Sequence, residues 1–374
     1  MTNRECMLAI MDGKSPDRIP WIPRLLIWHK ANKLRGTLPE RYRDYSLRDI
    51  ERDLNMGNPA RDGRIFTSKM TGVEVETRSL NKMESITEYR TPAGTLTSLV
   101  RGSELLRSKG IGDLEVEHML KGPDDYDVMA YIIEHTEYEE TFESYATYET
   151  EEVAEDGVPL VACGDCPFHH WLQKHVGYNN GYFHLNDFPQ KVERLLALME
   201  DIDRRVVWPL MEESPAVLLL HGVHFDSNIT PPPKFEQYIK PYYLDLSERL
   251  HQRGKKLCMH ADADSRKILG LIRDSGFDMA ETFTTEPMVP CTLAEAQEAF
   301  AGRVIIWGGV PSVILESAYS DEYFEDYMDK LFKTISPGDA FILGVADNVM
   351  PEAKIERLRR ISEMVEERGT YPVQ

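Results

Sequence analysis

Cysteine is scarce: five residues in a chain of 374, an odd number and too few to staple a fold of this length. With no export signal alongside them, they are expected to be reduced thiols. No stretch approaches the ~20 uninterrupted apolar residues of a membrane span. The opening Met1-Thr2-Asn3-Arg4-Glu5-Cys6 has no apolar signal core, so a cytoplasmic location is expected. Net positive charge is missing too: a formal charge of −20 argues against a nucleic-acid-binding face, which must neutralise phosphates with clustered Lys and Arg. Gly308-Gly309 follows an apolar run but lacks the further glycine spacing of a phosphate cradle. There is no Ser-His-Asp signature, no second C-x-x-C to accompany Cys163 and Cys166, and no internal repeat or low-complexity linker.

What is present is a 42% hydrophobic composition, ample for a large core, and a change of periodicity along the chain. Residues 1 to 14 read as a short amphipathic helix ended by Gly13 and Pro16. The prolines of Ile19-Pro20-Trp21-Ile22-Pro23 restrict that segment to an edge or barrel-start strand. Ser46 to Leu54 begins with an N-cap-like serine and reads as a helix. Between Val73 and Val100 apolar and polar residues alternate around a Thr91-Pro92-Ala93-Gly94 turn, as in a small inserted antiparallel meander. Two helical segments are expected from Asp124 to Asp156, where the Glu-rich run Glu134 to Glu155 reads as a solvated face.

From Val158 onward, strand and helix alternate. The expected strands are Val158 to Cys163, Ala216 to Leu220, Lys256 to His260, Asp278 to Phe283, Val304 to Trp307 and Ala340 to Leu343. The helices between and after them run approximately Gln190 to Val207, Lys234 to Gln252, Ser265 to Ser275, Leu293 to Phe300, Asp321 to Phe332 and Pro351 to Glu367. Repeated βα units of this kind build a parallel sheet. Counting the Trp21 segment gives seven strands, with an eighth unlocated before residue 150. The expected fold class is therefore α/β: a (β/α)8 TIM barrel with an N-terminal extension and the meander at approximately 73–100 inserted, all in one domain spanning 1–374.

In such a barrel, functional side chains sit at the carboxyl ends of the strands. Those ends carry Cys163-Gly164-Asp165-Cys166-Pro167-Phe168, His221-Gly222-Val223-His224-Phe225-Asp226-Ser227-Asn228, His260-Ala261-Asp262, Glu281-Thr282-Phe283 and Asp347-Asn348. Three groupings compete. His260, Asp262, Glu281 and Asp347 offer one imidazole and three carboxylates that could coordinate zinc. His221, His224 and Asp226 could bind a metal, or bind substrate and move protons as the catalytic group. Cys163 and Cys166 form a lone pair with little weight. Trp28, Phe168, Trp171, Phe225 and Trp307 are candidates for an aromatic substrate pocket, with Asp165 and Asn228 as polar strand-end candidates for contacting substrate.

Three further motifs, Ser15-Pro16-Asp17-Arg18-Ile19-Pro20, Phe235 to Tyr242 with Pro241, and Gly344-Val345-Ala346-Asp347-Asn348-Val349-Met350-Pro351, resemble the uroporphyrinogen decarboxylase superfamily, more closely its corrinoid-dependent methyltransferase branch. The resemblance covers nearly the whole chain. It implies an enzyme that takes a methyl group from an O-methyl substrate, such as a phenyl methyl ether, to the Co(I) of a separate corrinoid protein, as in anaerobic O-demethylases. The Arg-rich motif with which the decarboxylases grip propionates is missing from Leu26 to Asn32. Where the methyltransferases hold zinc with a His-x-Cys pair and a later Cys, this chain matches the His at His260, the Glu of some members at Glu281, and carries aspartate at both Cys positions, Asp262 and Asp347. Carboxylates leave a harder zinc ion that favours oxygen over sulfur. No D-x-H-x-x-G cobalamin run is present, so a partner protein must supply the corrinoid; neither nucleic acid nor membrane is an expected partner, and a homodimer is compatible with the resemblance. A cofactor-free decarboxylase of the same fold, or a barrel kept as a non-catalytic binding subunit, are the alternatives.

Overall fold

Six strands pair side by side in sequence order: β1 (Leu160–Gly164), β2 (Leu218–Val223), β3 (Lys256–His260), β4 (Met279–Phe283), β5 (Ile305–Pro311) and β6 (Phe341–Ala346). From β2 to β6 the pairing is parallel, with Val223 and Glu281 on either side of His260, and Trp307 between Glu281 and Ile342. The computed structural model describes residues 1–374, which divide into two compact units. The first comprises Met1–Gly63, Glu143–Cys163 and Ala216–Gln374, the second Arg64–Phe142 and Gly164–Pro215.

In the first unit α1 (Asn3–Met11) starts on the capping box of Thr2 and Glu5, and α2 (Leu26–Arg35) stops at Gly36, whose φ of 69° suits glycine. α3 (Leu47–Asp53) repeats the capping box with Ser46 and Asp49. Parallel neighbours need crossovers. Between β2 and β3 lies α4 (Lys240–Gln252), which buries Tyr242, Tyr243, Leu246 and Leu250 on one stripe. α5 (Asp321–Ile335), between β5 and β6, is capped by Ser320 and buries Phe324, Met328, Leu331, Phe332 and Ile335.

Alternate strand residues point inward. Leu160, Leu218, Leu220, Cys258, Met279, Ile305, Trp307 and Ile342 form one buried cluster with Met7, Ile10 and Met11 of α1 and with Ile22. Each such side chain contributes roughly 1.5–3 kcal/mol by leaving water. The indole of Trp307 donates to the carbonyl of Ile22 at 2.9 Å, so its polar atom is satisfied inside the core.

The seventh and eighth places around the sheet are filled by segments too short to be strands. Pro20 to Ile22 lies along β6, with Ile22 N donating to Leu343 O (2.9 Å) and Leu343 N to Pro20 O (3.0 Å). Gly57 to Ala60 then bridges to β1: Gly57 N donates to Trp21 O (2.8 Å) and Leu160 N to Ala60 O (3.0 Å). These bonds carry the sheet round from β6 to β1, giving a TIM-barrel-like α/β fold. Pro20, Pro23 and Pro59 lack the N–H groups that would extend either ladder.

The second unit holds the antiparallel meander: Glu74–Ser79, Glu84–Thr91, Gly94–Arg101 and a fourth strand, Leu114–Glu117, beyond the expected limit of the insertion. Thr136–Glu140, expected to be helical, is a strand paired with Phe66–Met70. Its five residues leave Glu137, Glu139 and Glu140 exposed, and it sets Glu137 opposite Lys69. Long-range pairing has overridden the weak helical preference of a Glu-rich run. All five cysteines are buried, and none is in a disulfide. No helix is long and apolar enough to cross a membrane.

Candidate active site

β3 ends on His260, which points to the same interior face as Cys258 two residues earlier. Its ring is held from both sides. Nδ1–H donates to Glu281 Oε2 at 2.6 Å from the adjacent strand, and Thr282 Oγ1 lies 2.8 Å from the same nitrogen. An ionised carboxylate only accepts, so Glu281 fixes a proton on Nδ1. Nε2 faces Asp262 Oδ2 and Asp347 Oδ1, each at 3.4 Å. His224 Nδ1 is bonded to the other oxygen of Asp262, and the two imidazoles lie 5.1 Å apart edge to face. One donor atom each from His224, His260 and Asp262 falls within 4.8 Å of the others, a spacing that could hold a metal ion.

Irregular backbone aims these groups. The ladder slips between Leu220 and Val223 at the end of β2, and again between Glu281 and Phe283 in β4. Such bulges re-aim side chains. His224, Thr282 and Asp347 all have positive φ, at 54°, 56° and 50°. For a β-branched threonine this is a genuine outlier, and each such residue costs roughly 1–3 kcal/mol. The surrounding ladder offsets the strain: His224 N donates to His260 O (3.0 Å), Ala261 N to Glu281 O (2.8 Å) and Thr284 N to Ala261 O (3.1 Å).

Two arginines complete the charge balance. Arg61 Nη1 meets Glu281 Oε2 at 2.5 Å and Arg24 Nη1 meets Asp347 Oδ1 at 2.7 Å. Burial pushes the Glu281 carboxyl up, but the charges of Arg61 and His260 outweigh it and hold Glu281 well below the usual carboxylate range. Asp262 is likewise raised by burial and lowered further by its bonds to His224 and His260, so it too stays ionised. Asp347 is lowered on balance, by His260 and Arg24. Burial alone would depress His260; the Glu281 charge and the bonds to Asp262 and Asp347 instead raise it well above an ordinary histidine. Neither arginine was among the residues singled out from the sequence. The available signal was indirect: three carboxylates at buried strand ends require cations.

His260 and Asp262 thus come together, and His224 joins them. Glu281 and Asp347 are at the site, Glu281 on the far ring nitrogen of His260 and Asp347 on Arg24. His221 is turned the other way: its Nδ1 lies 3.2 Å from Tyr243 Oη and its ring stacks on Tyr242 of α4. Asp226 caps a turn, its Oδ1 accepting from Asn228 N at 2.7 Å. The side chain of Asn228 accepts from Lys267 at 2.8 Å. Phe225 is fully buried against Phe235, Tyr243 and Phe277. Trp307 fills the interior below the site, and Trp28 packs in α2 with its indole donating to Ala353 O at 3.0 Å. In the second unit, Asp165 accepts from Cys166 N (2.7 Å) and pairs with His169 Nδ1 (2.6 Å), while Phe168 and Trp171 bury each other.

The uroporphyrinogen decarboxylase (URO-D) family model matches residues 108–368. No curated protein matches the chain. Among solved structures, a methyltransferase from Methanosarcina mazei is 14% identical with a TM-score of 0.56, the match covering 98% of this chain and 99% of that one. An isomerase from Streptomyces coelicolor A3(2) is 12% identical with a TM-score of 0.27, over 80% of this chain and 76% of that one. At these identities the first likeness is one of fold.

Proposed function

Because the chain belongs to the uroporphyrinogen decarboxylase family, we propose that it is a methyltransferase of that fold, moving a methyl group from an O-methyl substrate, a methoxylated aromatic, to a separate corrinoid protein. The observation that carries this reading is the donor set of His224, His260 and Asp262. It offers nitrogen and oxygen and no thiolate, since Cys258 lies in the barrel core and not among the donors. Two imidazoles and a carboxylate fit a zinc site that keeps one position free, and the second nitrogen of His260 is bound by a carboxylate, as metal-ligating histidines commonly are. When bound, zinc would act as a Lewis acid on the ether oxygen. The partner's Co(I) would supply the nucleophile.

The chain's own residues prepare for this. Glu281 keeps the Nδ1 proton of His260 in place, so that Nε2 faces Asp262 and Asp347. Arg61 keeps Glu281 ionised, and Arg24 does the same for Asp347. In the transfer the bond between the ether oxygen and the methyl carbon breaks, and its electron pair stays on the oxygen. A phenolate is a poor leaving group, so positive charge or a proton set against that oxygen lowers the barrier. His224, whose side chain is 41% exposed, is placed to hold such a proton when it is not a ligand.

The test is metal removal followed by methyl transfer from methoxylated aromatics to free cob(I)alamin. Activity should vanish with a chelator and return with zinc, and His260→Ala should lose the metal. Full transfer by metal-free protein would end the zinc reading. A second reading, decarboxylation without a cofactor, is supported by the two arginines at the site; it requires CO2 release from an acidic aromatic substrate with no cobalamin present.

A further inference from the structure

The outer face of α2 carries Leu26, Lys30 and Leu34, spaced four residues apart and therefore on one stripe. Leu26 is 53% exposed and Leu34 66%. Lys30 and Lys33 are exposed alongside them and make no ion pair. From Leu26 to Arg43 the sequence has five Lys and Arg residues against one Glu, within a chain whose net charge is −20. Large apolar side chains are exposed elsewhere too, Leu105 and Phe183 among them, but here they lie in a stretch of net positive charge on a chain whose net charge is −20.

The position of the stripe follows from the buried face of the same helix. Trp28 donates to Ala353 O and Asn32 Nδ2 to Pro351 O, both at 3.0 Å, and Val349 N donates to Arg24 O at 2.9 Å. α2 is therefore bound along the loop that leaves β6, the loop carrying Asp347. Its first residue, Leu26, is two residues from Arg24, which grips Asp347. The Leu26 end of the exposed stripe therefore lies beside the strand-end site.

We infer that this face of α2 docks the separate corrinoid protein, and that the docking surface of that partner is acidic with apolar side chains among its carboxylates. The inference rests on the methyltransferase reading above. A second copy of this chain seated on the same stripe would stand where methyl exchange requires the partner. Charge complementarity across the contact steers encounter, and the leucines supply the area that leaves water.

The test compares full-length wild-type enzyme with Lys30→Glu/Lys33→Glu and with Leu34→Asp, using two acceptors: free cob(I)alamin, and the cobalamin-loaded corrinoid protein from the same cells. Transfer to free cob(I)alamin should be unchanged in both variants. With the corrinoid protein, kcat/KM should fall about tenfold or more, mostly through KM, and the salt dependence seen with wild type should flatten in the double variant. Variants that equal wild type with both acceptors overturn the docking face alone. A wild type that transfers to neither acceptor overturns the methyltransferase reading, and the docking face with it. A wild-type dimer that the variants dissociate in sedimentation assigns the face to a second copy and overturns the proposal.

Discussion

Glu281→Gln separates what the buried carboxylate does for the fold from what it does for the site. Glu281 is fully buried and meets two cationic partners, Arg61 at 2.5 Å and His260 at 2.6 Å. Glutamine keeps the shape and removes the charge. Arg61, its side chain 22% exposed, is then left without its counterion, and breaking a buried pair from one side costs about 3–5 kcal/mol. The partial exposure of Arg61 puts the expected loss near 3 kcal/mol. At the same time His260 exchanges a charged acceptor for a neutral amide that can present either its oxygen or its NH2 group to Nδ1, and weakening such a partner lowers metal affinity about 10–100-fold, equivalent to about 1.4–2.7 kcal/mol. Urea denaturation of the chelator-treated protein reads the first quantity, and zinc competition against a chromophoric chelator reads the second. Adding Arg61→Met removes both partners of the pair, which is often close to neutral. The double variant should recover most of the stability and none of the zinc affinity. A single variant as stable as wild type, or a double variant that regains zinc binding, would refute the reasoning.

Four further outcomes follow. Zinc must displace a proton from His260, whose folded pKa is raised, so apparent zinc affinity should climb about tenfold per pH unit below that pKa, as isothermal titration at several pH values would show. In the metal-free protein, the stability contributed by His260 is present below ~6.5 and lost as pH rises through its folded value, whereas that of Glu281 and Asp262, with depressed values, is lost on acidification. Glu51 of α3 is pushed up to about 7 by burial, against the pull of Arg48; its contribution is present below ~4.3 and lost as pH rises to about 7, and Glu51→Gln should remove that slope from a denaturation series. Trp307→Phe strips the Ile22 carbonyl of its indole donor and leaves space in the core, so denaturation should show a loss of roughly 1–3 kcal/mol.

The sequence made β3 legible because an apolar run, Leu257 to Met259, ends abruptly in a histidine; the helix read at Leu293 to Phe300 is present with those bounds, opened by a capping box of Thr292 and Glu295. It could not reveal Gly57 to Ala60, since a segment held by isolated main-chain bonds needs no apolar run. His221 and His224 look equivalent on paper, both ending the same strand. Alternation carries His221 toward Tyr243 and a bulge swings His224 toward Asp262, and a bulge is a tertiary fact with no spacing signature. Arg24 and Arg61 escaped for a related reason: each belongs to irregular chain, where sequence separation carries no distance. The fourth meander strand, Leu114–Glu117, is only four residues long and follows a short helix, below the length at which alternation can be read.

Arg61 comes directly after one of the two short closing segments, Gly57 to Ala60, and Arg24 two residues after the other, Pro20 to Ile22. These are the most thinly bonded staves of the barrel, and local opening begins where few backbone bonds must break. Amide exchange should therefore be fastest at Trp21 and Gly57 among the residues around the barrel wall. Were those staves to part, Arg24 and Arg61 would move with them, and Glu281 and Asp347 would keep only His260 as a cationic partner while β2 to β6 stayed paired. The strand ends supply the acids and the loosest part of the wall supplies the bases, so the readiness of the site is tied to the one place where the ring can breathe.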